Sequence, residues 1–99
     1  MTYSLFKGRV KDFTTWKESF DSVKMKRREA GITEKYVLRG VDDRNEVILL
    51  LEVKDIARAK AYYESPFLRD VMEKGGVIGR PEFRFFNDEY GDLAKVSGL

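Results

Sequence analysis

The sequence predicts an α+β fold with its elements in the order β-α-β-β-α-β. Three observations lead to it. A period of two marks residues 4–10, 35–41 and 82–86, and residues 46–53 hold a short apolar run with both faces apolar. Apolar residues spaced by three and four fill the intervals that begin at Phe13 and at Asp55. Glycines and Asx-rich clusters punctuate the boundaries between these patterns.

The first strand, residues 4–10, carries Phe6, Gly8 and Val10 on one face and Leu5, Lys7 and Arg9 on the other. Asp12 is the candidate N-cap of the helix that follows, because a carboxylate there accepts from a free first-turn amide. That helix is expected over about residues 13–30, with Phe13, Trp16, Phe20, Val23 and Arg27 as its stripe. Lys24, Lys26, Arg27 and Arg28 fall in its last turns, where cations complement the helix dipole, and Gly31 suits the position just past its end.

Residues 35–41 form the second strand, and Asp42-Asp43-Arg44-Asn45 reads as the turn of a hairpin leading to the third strand, residues 46–53. In this third strand Val47, Leu49, Leu51 and Val53 share one face while Ile48 and Leu50 share the other, so both faces call for cover. Asp55 opens the second helix, whose stripe is Ile56, Ala59, Tyr63, Phe67 and Val71. Ser65-Pro66 interrupts it, with Ser65 as a fresh N-cap, since proline cannot continue the hydrogen-bond ladder. Gly75-Gly76 closes the helix, Gly79-Arg80-Pro81 leads into the last strand at residues 82–86, and a weakly patterned tail occupies 87–99, with one short turn expected at 92–96.

Two right-handed β-α-β crossovers in this order give a four-stranded antiparallel sheet with both helices on one face, the ferredoxin-like arrangement. The open face would then carry Leu5, Ile48, Leu50 and Phe86. Leaving such a patch in water is unfavourable by about 25 cal/mol per Å², so the partner expected for this chain is a second copy of itself.

Composition narrows the function. With 99 residues the chain is read as a single domain spanning 1–99, and its net charge of +2 offers no general attraction to nucleic acid or to an anionic membrane. The absence of Cys removes disulfides, zinc–thiolate sites and thiol nucleophiles; the absence of His removes the commonest metal ligand and general base. The longest apolar run, residues 47–51, is far short of the roughly 20 residues of a membrane span, so the expected location is cytoplasmic. An RNA-recognition sheet would display aromatic residues on its third strand, and this one has none.

Several segments resemble a known group. Asp12-Phe13 followed by Trp16 and Phe20, the hairpin Val41-Asp42-Asp43 to Glu46-Val47, and Ser65-Pro66-Phe67-Leu68 with Met72, Gly76-Val77 and Gly79 are similar to the dimeric α+β barrel superfamily. That group includes antibiotic biosynthesis monooxygenase-like and stress-responsive barrel proteins. The resemblance covers residues 4–86 and implies two ferredoxin-like protomers joined through their sheets, each with a pocket between sheet and helices. Haem-degrading members use a His on iron, which this chain lacks. What the resemblance then implies is oxygenation without a cofactor, with the substrate supplying the reactive carbanion, a cyclase-like reaction, or ligand binding alone.

The candidate ligand pocket is assigned to Trp16, Phe20, Tyr63, Phe67, Met72 and Phe85, with Tyr36 and Arg39 as polar members; no catalytic residue and no metal ligand is assigned. Each has a structural reading beside the functional one. Trp16 lies on an apolar stripe and suits core packing as well as stacking on a flat ligand. Tyr36, Tyr62 and Tyr63 each bring a hydroxyl that needs a partner if buried. Arg39, within a strand, needs Asp42, Glu52 or an anionic ligand. Lys7, Arg9 and Arg84 would fall on neighbouring strands as a polar patch or as solvated charges, and Asp42, Asp43 and Glu46 suit a solvated turn better than a cation site. The competing function is a structural or regulatory dimerisation module without chemistry, favoured by the lack of any acid–base cluster.

Overall fold

The protein is described by a computed structural model covering residues 1–88. Its elements are β1 (Thr2–Val10), α1 (Phe13–Ser22), α2 (Lys24–Glu29), β2 (Ile32–Arg39), β3 (Glu46–Val53), α3 (Ile56–Tyr63), α4 (Pro66–Lys74) and β4 (Val77–Asn87). The strands form one antiparallel sheet in the order β2-β3-β1-β4. Each helical segment lies in a crossover between two strands, which is the expected ferredoxin-like α+β architecture with each long helix divided in two.

Strand alternation sets the two faces. On the helix side Phe6, Val10, Val47, Leu49, Leu51, Val53 and Ile32 join Trp16 and Ala59 in one buried core. On the opposite side Leu5 stands opposite both Leu50 of β3 and Arg84 of β4. Leu5, Ile48 and Leu50 are only half-buried, and Tyr36, Leu38 and Phe86 are 59%, 49% and 47% exposed. The apolar open face anticipated from β3 is therefore present, and it also includes Tyr36 and Leu38 from β2.

Several boundaries differ from expectation, each for a local reason. The first helix breaks at Val23, whose φ of −110° and ψ of 22° leave the helical region. Just before it the Ser22 hydroxyl donates to the Ser19 carbonyl at 2.7 Å, a back-bond that competes with helix propagation. The second strand begins at Ile32 rather than at residue 35 and ends at Arg39, leaving Val41 outside it and 90% exposed. Gly31, at φ 76°, ends α2 and turns the chain straight into the sheet, where Ile32 is fully buried opposite Val53. The first strand gains Thr2 and Tyr3 by pairing with β3 and β4. The last strand is longer than expected because β4 bulges: Lys7 pairs with Glu82 and Arg9 with Ile78, so Gly79, Arg80 and Pro81 stand against Gly8 alone. Proline is accommodated because β4 is an edge strand. Ile56, placed on the second helical stripe, is 42% exposed. The turn expected at 92–96 lies outside the described residues.

The interruption at Ser65-Pro66 is as anticipated. Ser65 Oγ accepts from the Leu68 amide at 3.1 Å and donates to the Tyr62 carbonyl at 2.7 Å, closing α3 and opening α4 with one hydroxyl. Replacing Ser65 with Ala is expected to lower unfolding free energy by about 1 kcal/mol, read from urea denaturation.

Asp12 caps α1 in the same way, accepting from the hydroxyl and the amide of Thr15 at 2.7 and 2.9 Å. Those bonds, the hydroxyl's first, hold its carboxyl below the ordinary carboxylate value. Because the folded value is depressed, this stabilisation is present above the unfolded pKa and is lost as pH falls through the folded one. The stability gap between the wild type and Asp12→Ala should therefore be widest near neutral pH and narrow below about pH 4, as followed by urea midpoints.

Candidate functional site

The two long helical arms pack α1 against α4, and the end of α3 closes the space between them and the sheet. Beneath this cover lies a cavity of about 50 Å³, within about 500 Å³ of atom-free space that includes its open mouth. That volume has room for a few atoms, well short of the roughly 300 Å³ at the low end of ordinary ligand pockets. A larger guest must occupy the mouth or part α1 from α4.

The walls are apolar and come from every layer. Trp16 and Phe20 of α1 stack at 5.1 Å with an interplanar angle of 20°. Leu68, Val71 and Met72 of α4 face them across the space, while Phe6, Leu49, Leu51 and Phe83 form the sheet floor. Polar groups reach this wall at four places: Ser19, Arg27, Tyr62 and Tyr63. Ser19 Oγ donates to the Val71 carbonyl at 3.3 Å, tying α1 to α4.

Arg27 is 4% exposed and its charge is fully accounted for structurally. Its guanidinium lies 3.6 Å over the Phe20 ring, its Nε donates to Glu34 at 3.1 Å, and one terminal nitrogen donates to the Phe20 carbonyl at 2.6 Å. A cation on an apolar stripe was the sequence signal for this arrangement.

The two tyrosines differ. Tyr63 Oη shares a 2.5 Å hydrogen bond with Ser4 Oγ, and Ser4 is buried. Tyr62 Oη is buried and has no hydrogen-bond partner among the described residues. Burial is the main cause that pushes both phenols above their ordinary pKa of 10.0, opposed at Tyr62 by Arg27 and at Tyr63 first by the Ser4 bond. Both hydroxyls are consequently protonated at neutral pH and act as donors, not as bases.

Of the residues assigned to the pocket from sequence, Trp16, Phe20, Tyr63 and Met72 line this cavity. The others lie elsewhere. Tyr36 projects from the open face of the sheet, opposite Leu50. Arg39 is on the helix side but away from the cavity: its guanidinium lies 4.0 Å over the Phe13 ring and its Nε donates to the Arg44 carbonyl at 2.8 Å. Those partners replace the Asp42, Glu52 or anionic ligand considered for it. Phe67 is 40% exposed and packs on Tyr62 from outside, and Phe85 packs on the far side of Tyr63 with Lys60 above it. Tyr62 and Arg27 were not in the assigned set. Tyr62 sits one step round the helix from Tyr63, off the stripe that the spacing defined.

The remaining charges have local roles. Arg9 pairs with Asp43 at 2.8 Å, and the other Asp43 oxygen accepts from the Asn45 amide at 3.0 Å, which makes it a turn residue. A shallow depression of about 310 Å³ on the open face is bordered by Lys7, Arg9, Arg80, Glu46 and Glu82, with both signs of charge represented.

Comparison with known proteins identifies the fold. No protein-family model matches the sequence, and no curated protein matches it. Solved structures do match. A protein of Nitrosomonas europaea provisionally named an antibiotic biosynthesis monooxygenase is 18% identical with a TM-score of 0.63, over 88% of this chain and 97% of that one. A similarly named protein of Bordetella bronchiseptica is 8% identical with a TM-score of 0.70, over 87% and 94%. A mutant of SnoaB, a cofactor-independent oxygenase of Streptomyces nogalater, is 12% identical with a TM-score of 0.66, over 87% and 90%. At these identities the likeness is one of fold: the chain shares its ferredoxin-like α+β fold with these proteins. Fold alone does not carry an activity.

The two phenols make opposite predictions. Tyr63→Phe leaves the buried Ser4 hydroxyl without its partner and should cost about 1 to 3 kcal/mol of stability. Tyr62→Phe breaks no hydrogen bond and should leave stability unchanged or raise it. Chemical denaturation of the two variants side by side checks the contrast.

Proposed function

We propose that the protein binds a small apolar or aromatic molecule in the cavity beneath its helices, as a homodimeric, cytoplasmic, monooxygenase-like protein that works without a bound cofactor. The observation that carries this reading is the cavity itself: stacked Trp16 and Phe20 face Met72 across an apolar space, and Tyr62 on its wall has a buried hydroxyl without a partner among the described residues. Filling such a space with apolar surface is favourable by about 25 cal/mol per Å² removed from water.

The chemistry open to such a site is limited by its lining. Among the described residues no carboxylate lines the cavity, and its two phenols are held protonated. They can donate to a developing enolate oxygen but cannot serve as general base at neutral pH. A substrate oxygenated here would have to supply a readily ionised C–H of its own. The similarity to SnoaB, a cofactor-independent oxygenase, supports considering that chemistry.

A second reading, a dimerisation module without a ligand, is favoured by the small cavity volume of about 50 Å³. Both readings share the dimer. Leu5, Ile48, Leu50, Tyr36, Leu38 and Phe86 make a contiguous half-exposed apolar sheet face of the kind that marks interfaces. Light scattering at micromolar concentration should give twice the protomer mass for the wild type. Ile48→Lys should give the protomer mass while the protein remains folded, since burying an unpaired ammonium costs several kcal/mol. A monomeric wild type would sink the dimer.

The ligand reading is tested by the fluorescence of Trp16, the only tryptophan in the chain. Titration with small aromatic compounds should change its emission saturably and raise thermal stability together, because a guest bound to the native state stabilises it. A panel that leaves both unchanged would favour the dimerisation module.

A further inference from the structure

We infer that the Tyr62 hydroxyl is the specificity-determining donor of the cavity, so that the molecule taken there carries a carbonyl or phenolic oxygen at one end of an otherwise apolar body. The inference rests on the ligand-binding reading and deepens it.

Tyr62 stands apart from the other polar groups on the cavity wall. Ser19 gives its hydroxyl to the Val71 carbonyl, Tyr63 is joined to Ser4, and Arg27 is held by Glu34 and the Phe20 carbonyl. Tyr62 Oη alone among the described residues is a buried side-chain polar atom without a partner. Native proteins satisfy nearly all such atoms, so an exception beside a cavity calls for an occupant that supplies the missing acceptor.

The ring's aromatic neighbours supply no acceptor to the hydroxyl through their faces. Its ring contacts Tyr63, centroids 6.0 Å apart at 60°, and Phe67, 6.4 Å apart at 48°. Its backbone is fixed at the end of α3, where the Tyr62 carbonyl accepts from both the amide and the hydroxyl of Ser65 at 3.1 and 2.7 Å. A donor locked in place contributes selectivity, because little freedom remains to be lost on binding.

Electrostatics leaves the choice to the hydroxyl itself. Arg27 and Glu34, paired with each other, act on the Tyr62 phenol with opposite signs. A neutral donor of this kind favours an acceptor oxygen, such as that of a carbonyl or a phenol. An oxygen-free hydrocarbon would fill the space and leave the hydroxyl unsatisfied.

Phenol and toluene, nearly equal in shape, test this by calorimetric titration of the wild type and Tyr62→Phe. In the variant, phenol affinity should fall roughly 3- to 10-fold while toluene affinity holds or improves, the range expected for one neutral hydrogen bond. Retained toluene binding shows that the variant still has its cavity. If both compounds bind and Tyr62→Phe changes them equally, the inference falls and the binding reading stands. If neither binds the wild type, both fall. Should the variant fail to fold, wild-type protein labelled with ¹³C at the tyrosine Cζ gives the same answer. Phenol should then shift the Tyr62 resonance and toluene should not; equal shifts would overturn the assignment.

Discussion

Val47, Leu49, Leu51 and Val53 lie buried under the helices while Ile48 and Leu50 look out from the opposite face of the same strand. A strand of this composition cannot sit at an edge or face water on one side without a large exposed apolar area. β3 is accordingly held between β2 and β1, which places the long edge strand β4 beside β1. The hairpin turn that launches β3 is equally constrained. Gly40 is required there, since a side chain would collide with the Asp43 carbonyl, and the Gly40 amide donates to the Glu46 carbonyl at 2.9 Å. The doubly apolar strand thus dictates the helical cover on one side and the need for a second cover on the other.

The cavity follows from how that cover is assembled. Two helical arms, each broken into short segments, lie across the same sheet face, and short segments leave the junctions between them imperfectly filled. The largest side chains of the helices meet there: Trp16 and Phe20 from one arm, Tyr62, Tyr63 and Met72 from the other. Around them the polar groups are satisfied locally, by Ser4 for Tyr63 and by Glu34 for Arg27. An apolar chamber with one unsatisfied donor is the result, a combination that suits recognition of a guest better than it suits packing alone.

How far this was legible depends on whether a feature is written in side-chain pattern or in backbone detail. The bounds of β3, the Asp12 and Ser65 caps, the start of the second helix at Asp55, and its division at Pro66 were all readable, because side-chain pattern, capping and proline each act through the residue that carries them. The break at Val23 was hidden, since Val23 keeps the apolar spacing while the Ser22 back-bond ends the helix. A bulge after Glu34 resets the alternation at the start of β2, and a bulge opposite Gly8 carried β4 through Pro81. Neither shift leaves a mark on composition. In the cavity the helical aromatics Trp16, Phe20 and Tyr63 could be anticipated from their stripes. Tyr62 could not, because its lack of a partner is a property of the assembled interior and not of any spacing.

The central claim is that the space beneath the helices is an accessible apolar chamber that takes a guest. Xenon enters apolar cavities of this kind and scatters X-rays strongly, so diffraction from a crystal held under xenon gas tests the claim most directly. A xenon atom should appear in contact with Trp16, Leu49 and Met72, with the fold otherwise unchanged. A crystal that takes up no xenon at this place, with α1 and α4 closed tightly on the sheet, would contradict it.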